Sequence, residues 1–170
     1  MTLLDRLFHP APDPRDALRP LWQAVVATAR EPAWYRDRGA ADTVEGRFDM
    51  ITLVLAVVLL RLERAGDGAA AARLTEWFVE EMDAQLRQSG VGDLVVGKHV
   101  GKLMATLGGR VGALRLALPE GAGAVAEVVE RNVTLVDGAS PQALADAVVR
   151  LHAGVEALPV EALLAGSLAG

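Results

Sequence analysis

The side chains that most often catalyse reactions or bind metal ions are few in this chain and far apart. There is no cysteine, and the three histidines are His9, His99 and His152. None has a second histidine three or four residues away, so the H-E-x-x-H arrangement of metal-binding helices is missing. Without cysteine, disulfides, thiolate zinc sites and a cysteine nucleophile are excluded. These residues do not indicate a catalytic centre.

A row of acidic residues is the other candidate for chemistry. Glu76, Glu80 and Asp83 are spaced so that they share one helix face. They could bind a divalent cation if a second helix supplied more ligands, but a solvated face is favoured because no Glu-x-x-His partner occurs elsewhere. The glycines near Gly92 match neither G-x-x-x-x-G-K-[ST] nor G-x-G-x-x-G after a strand. We predict a protein that is not an enzyme and uses no cofactor or metal ion.

The composition predicts an all-α fold. The 170 residues are 52% hydrophobic but only 4% aromatic, and the apolar share is mainly 30 Ala, 25 Leu and 21 Val. Ala and Leu favour helices, whereas strands are enriched in Ile, Thr, Tyr and Phe. Apolar residues recur at spacings of three and four between proline and glycine breaks, which predicts a single-domain bundle of six or seven helices. We divide the chain into a short N-terminal segment with an amphipathic pattern, residues 1–12, and one helical domain, residues 13–170.

No segment is typical of a membrane span or a secretory signal. The longest uncharged run, residues 50–60, would cover about 16 Å as a helix, roughly half of a bilayer core. It is apolar on all sides, which is typical of the central helix of a bundle. The N-terminus lacks the basic and long apolar regions of a signal peptide, so we expect a cytoplasmic protein. We expect the apolar residues of the first segment to pack on the bundle, with contact with lipid as the alternative; they are Leu3, Leu4, Leu7 and Phe8.

Charge is distributed unevenly around a net value of −5. Residues 87–115 carry five basic side chains and one acidic side chain, whereas both flanking segments are acidic. Such a helix can contact an acidic partner or anionic lipid, or it can lie beside acidic helices of the same bundle. Aromatic residues do not interleave with this stretch, so no nucleic-acid partner is predicted. The candidate basic surface consists of Lys98, Lys102, Arg110 and Arg115.

Glycine is unusually frequent inside the helix predicted over residues 95–118. Each glycine there costs about 1 kcal/mol of helix stability relative to alanine. We therefore expect another backbone to pack closely on these residues, or a kink near Gly108, and an apolar groove is expected to open at this helix. The glycines are Gly101, Gly108, Gly109 and Gly112.

Residues 42–49 combine a capping residue, a glycine, an aromatic residue and an arginine between two acidic residues, directly before the apolar helix. Arg47 could bridge the carboxylate of Asp42 or that of Asp49, which would fix the angle at which the chain enters the core helix. Phe48 would anchor the start of that helix. The favoured interpretation is that residues 42–49 form a structural clasp, which fixes the loop to the start of the helix. Direct contact of these residues with a ligand is the alternative.

Two segments resemble a known family. Residues 42–49, Asp-Thr-Val-Glu-Gly-Arg-Phe-Asp, are similar to the D-T-x-x-G-R-F-[DE] signature of the ubiquinol–cytochrome c chaperones. Residues 82–98 resemble that family's M-D-x-x-L-R-x-x-G-V-G-D-x-x-V-x-K pattern, and Arg131-Asn132 resembles a short R-N element of bacterial members. The family's mitochondrial members act on newly made cytochrome b together with a small partner protein. The resemblance therefore implies an α-helical assembly chaperone of the cytochrome bc complex, respiratory complex III.

The resemblance also implies where the client is bound. We expect the motif residues to shape a groove for an apolar segment of a membrane-protein client, with cytochrome b as the suspected client and a small protein as a further partner. The chaperone would hold its client without ATP at the inner face of the cytoplasmic membrane. The alternative is a helical scaffold or regulator that binds another protein without chaperone activity. The positions implied are Thr43, Gly46, Arg47, Phe48, Asp49, Gly92, Asp93 and Lys98.

Overall fold

The computed structural model describes residues 16–88 and 93–168, except for the side chains of residues 86–88 and 93–99. Six of the helices in these ranges have eleven residues or more, and two have five. They are α1 (Arg19–Ala29), α2 (Pro32–Arg36), α3 (Val44–Arg64), α4 (Gly68–Gln88), α5 (Asp93–Ala117), α6 (Ala122–Asn132), α7 (Gln142–Ala157) and α8 (Val160–Leu164). Within the described ranges the only β pairing is an isolated bridge between Ala40 and Leu135. The predicted all-α, single-domain bundle is confirmed.

Helix α3 is the centre of the bundle. All residues from 49 to 60 are buried, and the helix packs against α1, α4, α5 and α7. Full burial of each Val or Leu side chain contributes roughly 1.5–3 kcal/mol, which explains why an uncharged run of this length lies where four helices meet. The prediction that residues 50–60 form the core helix is confirmed. In the part of the chain that the structure describes, no helix is long and apolar enough to cross a membrane.

Local sequence signals explain where the helices begin and end. The carboxylate of Asp67 caps α4, because it accepts a hydrogen bond from the Ala70 N–H at 2.9 Å. Gly66 follows the end of α3 and has a φ of 75°, a conformation that glycine adopts without steric cost. Pro32 is the first residue of α2, where its missing N–H costs no helical hydrogen bond.

The glycines of α5 do not mark a close contact with another described backbone, so the first of the two alternatives, close backbone packing, is wrong. The helix is continuous from Asp93 to Ala117. A Cβ atom added at any of the four glycines would meet no described atom within 4 Å, apart from the helix's own backbone. Packing is carried instead by the buried residues Leu107, Val111 and Leu114. No other described backbone therefore approaches the glycine positions, which are Gly101, Gly108, Gly109 and Gly112.

Candidate functional site

The signature segment, residues 42–49, forms the end of a loop and the first turns of α3. Thr43 caps the helix, because its hydroxyl accepts a hydrogen bond from the Gly46 N–H at 3.1 Å. The Ala41 N–H donates to the Thr134 carbonyl at 2.9 Å, which ties the same loop to the segment after α6. A Cβ atom at Gly46 would lie closer than 3.0 Å to the Ala41 carbonyl. Thr43 and Gly46 therefore hold the loop against α3.

Arg47 meets the first of its two candidate carboxylates. Its Nε donates to Asp42 Oδ1 at 2.6 Å, while 59% of the Arg47 side chain and 57% of the Asp42 side chain stay exposed. This hydrogen bond lowers the pKa of the Asp42 carboxyl below its ordinary value. An ion pair this exposed contributes little to folding. Arg47 therefore links α3 to the preceding loop at the protein surface, and its side chain remains accessible to solvent.

Asp49 faces the interior and pairs with Arg110 of α5. Arg110 Nη2 donates to Asp49 Oδ1 at 2.5 Å, and only 6% and 12% of the two side chains, respectively, are exposed. Arg110 also donates to the hydroxyl of Thr52 and, at 2.5 Å, to the carbonyl of Asn132. The N–H and hydroxyl of Thr134 donate to Asp49 Oδ2 at 2.8 and 2.7 Å. These five residues, the Asp49–Arg110 cluster, join α3, α5 and the end of α6.

The assignment of Arg110 to the basic surface is therefore wrong. The buried guanidinium is tolerated because its two terminal nitrogens donate to a carboxylate, a hydroxyl and two carbonyl oxygens, although its Nε has no partner among the described residues. Arg115 is exposed, but its guanidinium donates to the Glu63 carboxylate of α3 at 2.6 Å. Like Arg110, it is therefore paired with an acidic residue of the same bundle. Lys102 is exposed on α5. Among the other predicted residues, Gly92 and the whole N-terminal segment, residues 1–12, lie outside the described residues, and so do the side chains of Asp93 and Lys98.

Phe48 anchors the start of α3, as predicted. Its ring is half-buried, and its centroid lies 6.2 Å from that of Phe78 on α4. The Arg110 guanidinium lies 5.9 Å from the Phe48 ring centroid, within the range of a cation–π contact. The signature segment thus contacts both α4 and α5, and the structural clasp is the role that the geometry supports for Phe48 and Asp49.

A cleft of about 380 Å³, here named the arginine cleft, opens beside the clasp. Three arginines and one aspartate line it, together with Tyr35. The Tyr35 hydroxyl donates to the Ala29 carbonyl at 2.6 Å, and burial raises the pKa of this phenol. This cleft cannot be recognised from the sequence, because Glu31 and Asp37 cancel the local charge along the chain. The lining residues are Arg30, Pro32, Tyr35, Arg36, Asp42 and Arg47.

A second groove, the α4–α5 groove, is mostly apolar and has a volume of about 520 Å³. Met104, which is 44% exposed, belongs to it. Glu76 and Glu80 are among the residues that line this groove, and among the described residues no group of three or more His, Cys, Asp and Glu side chains is placed to hold a metal ion. The lining residues are Ala72, Thr75, Glu76, Val79, Glu80, Val100 and Met104.

Comparisons with known proteins agree with the motifs. The family model described as "Ubiquinol-cytochrome C chaperone" matches residues 36–169, which include the signature segment, Arg110 and both sides of the α4–α5 groove. The fold is similar to the crystal structure of the Cbp3 homolog from Brucella abortus, with a TM-score of 0.78 and 28% sequence identity over 98% of this chain and 95% of that chain. No curated protein matches the chain. Because the family match covers most of its length, this chain belongs to the ubiquinol–cytochrome c chaperone family.

Proposed function

We propose that this chain is a non-enzymatic chaperone in complex III assembly that holds newly made cytochrome b, or a similarly apolar membrane protein, at the inner face of the cytoplasmic membrane. The observation that carries the proposal is the α4–α5 groove in a member of this family. A holding chaperone needs an accessible apolar surface that can release its client, and the groove provides one. No step of this function requires ATP or a metal ion.

An apolar helix of the client is the occupant that fits the groove. Val79 and Val100 supply apolar walls, and Met104 has a flexible, polarizable side chain that adapts to different partners. No other described backbone packs on the exposed glycines Gly101 and Gly108, so a second helix can approach α5 closely there. Helix-in-groove binding of this kind uses anchors at spacings of three and four residues.

Charge around the groove supports the same occupant. Glu76 and Glu80 line it, and apolar segments of membrane proteins are often flanked by Lys and Arg on the cytoplasmic side. The groove therefore matches both the apolar body and the basic flank of a nascent membrane helix. Lys98 and Lys102, on the same stretch of α5, are the proposed contacts for acidic client loops.

Placing a charge in the groove is expected to abolish client holding without unfolding the protein. In Met104→Glu, a carboxylate would have to be desolvated when an apolar helix binds, so the recovery of cytochrome b should fall at least about tenfold. The measurement is affinity capture from detergent-solubilised membranes. Leu116→Glu is the matched control, because Leu116 is also on α5 and 76% exposed but does not line the groove.

A deletion strain separates the chaperone from the scaffold alternative. Complex III activity should be lost in the strain, restored by the wild-type chain and by Leu116→Glu, and not restored by Met104→Glu. Normal complex III activity in the deletion strain would favour a scaffold or regulator. Recovery of cytochrome b with Met104→Glu at the wild-type level would show that the client binds elsewhere.

Arg47→Ala is expected to impair complex III assembly while leaving a helical, folded protein. The Arg47 side chain is more than half exposed and its partner Asp42 is exposed as well, so its loss removes little folding energy but takes a cation from the surface of the clasp. Circular dichroism should show wild-type helicity and a melting temperature close to that of the wild type. If Arg47→Ala unfolds instead, Arg47 acts only as a structural part of the clasp.

A further inference from the structure

The arginine cleft, lined by Arg30, Arg36 and Arg47, has the features of an anion site. We propose that it binds the phosphate of an anionic phospholipid headgroup and so seats this face of the protein on the membrane. Three arginines and only one acidic residue, Asp42, line one concave space of about 380 Å³. Guanidinium groups pair with phosphate through planar sets of N–H donors.

Most donors in the cleft are still available. Arg47 uses its Nε on Asp42, and Arg36 uses its Nε and Nη2 on the two Asp37 oxygens, each at 3.0 Å. The two terminal nitrogens of Arg47 and the Nη1 of Arg36 make no further hydrogen bond with the described residues. No carboxylate in the described ranges lies within 4.0 Å of Arg30. A ligand that offers several anionic oxygens would satisfy these donors together.

The surroundings favour a lipid as the source of the phosphate. Val44 stands between two cleft residues in the sequence, Asp42 and Arg47, and exposes 82% of its surface. An apolar side chain next to a cationic cleft is typical of protein surfaces at the membrane interface, where headgroup phosphates lie above acyl chains.

Overall charge cannot produce this binding. The chain has a net charge of −5, which opposes its adsorption to an anionic bilayer. At physiological salt, charges are screened over about 8 Å, so a local group of guanidiniums can still attract a headgroup. Vesicle binding through the cleft is therefore expected to weaken as salt is added.

The test is flotation of the purified wild-type protein with vesicles. We expect binding to vesicles of phosphatidylglycerol mixed with phosphatidylcholine and no binding to phosphatidylcholine alone. The double variant Arg30→Gln/Arg36→Gln should bind at least about tenfold more weakly. The matched control is Arg73→Gln/Arg131→Gln, which removes the same charge from exposed positions on α4 and α6 and should bind like the wild type.

Three results would overturn the proposal. The wild-type chain could fail to bind anionic vesicles. Alternatively, both double variants could lose binding equally, which would show that vesicle binding depends on net charge and not on the arginine cleft. Inorganic phosphate could stabilise the protein thermally while vesicles do not bind, which would make the cleft a site for free anions. The assay contains no client, so its failure would leave the client-holding proposal untouched, and loss of cytochrome b capture would not affect this result.

Discussion

Arg110→Met is expected to lower the free energy of unfolding by about 3–5 kcal/mol. Methionine roughly replaces the volume of the arginine stem but not its charge or donors. The Asp49 carboxylate would remain buried with only the two hydrogen bonds from Thr134, and the Asn132 carbonyl would lose its guanidinium donor. Urea denaturation followed by circular dichroism measures the change. Arg110→Lys should rescue only part of it, because one ammonium group cannot reach acceptors on α3 and at the end of α6 together.

Two controls identify the buried ion pair as the cause. Arg115→Met removes an exposed guanidinium from the same helix, where it pairs with Glu63, and should cost less than about 1 kcal/mol. In the double variant Asp49→Leu/Arg110→Met, both buried charges are gone, so it should be more stable than Arg110→Met alone. Equal losses for Arg110→Met and Arg115→Met would contradict the Asp49–Arg110 cluster.

The parts of the fold that depend on local periodicity could be predicted from the sequence. The uncharged run at residues 50–60 predicted the core helix, because only an element surrounded by other helices can be apolar on every side. The ion pair between Arg47 and Asp42 could also be expected from the sequence, because the two residues are only five positions apart. A contact between residues so close in sequence follows from local geometry, here the first turn of α3 and its cap at Thr43.

Long-range pairs could not be predicted in this way. In the sequence, Arg110 belongs to a basic segment, whereas its partner Asp49 lies 61 positions earlier. Thr134, which completes the cluster, is 85 positions from Asp49. The arginine cleft is hidden in the sequence for a related reason, since Arg30 and Arg47 line the same cleft although α2 and the loop before α3 lie between them in the chain. A charge count along the chain cannot show which side chains meet.

Gly46→Ala is expected to destabilise the protein by about 3 kcal/mol, although alanine is the better helix former. The added Cβ would overlap the Ala41 carbonyl, which is backbone and cannot rotate away. To make room, the loop would have to leave α3 and give up the hydrogen bond from Ala41 N–H to the Thr134 carbonyl. Moving the loop also displaces Arg47, so complementation of the deletion strain should fall together with stability.

The control is Gly108→Ala on α5. An added Cβ there meets no described atom within 4 Å, so the substitution removes only the flexibility of glycine and should stabilise the protein by about 0.5–1 kcal/mol. The two substitutions are chemically identical and both lie within helices, yet opposite signs are expected because only Gly46 faces another backbone. If Gly46→Ala also stabilised the protein, the loop before α3 would not pack on the helix. Urea denaturation of the two variants therefore tests whether the glycine of the signature segment is required by the clasp itself.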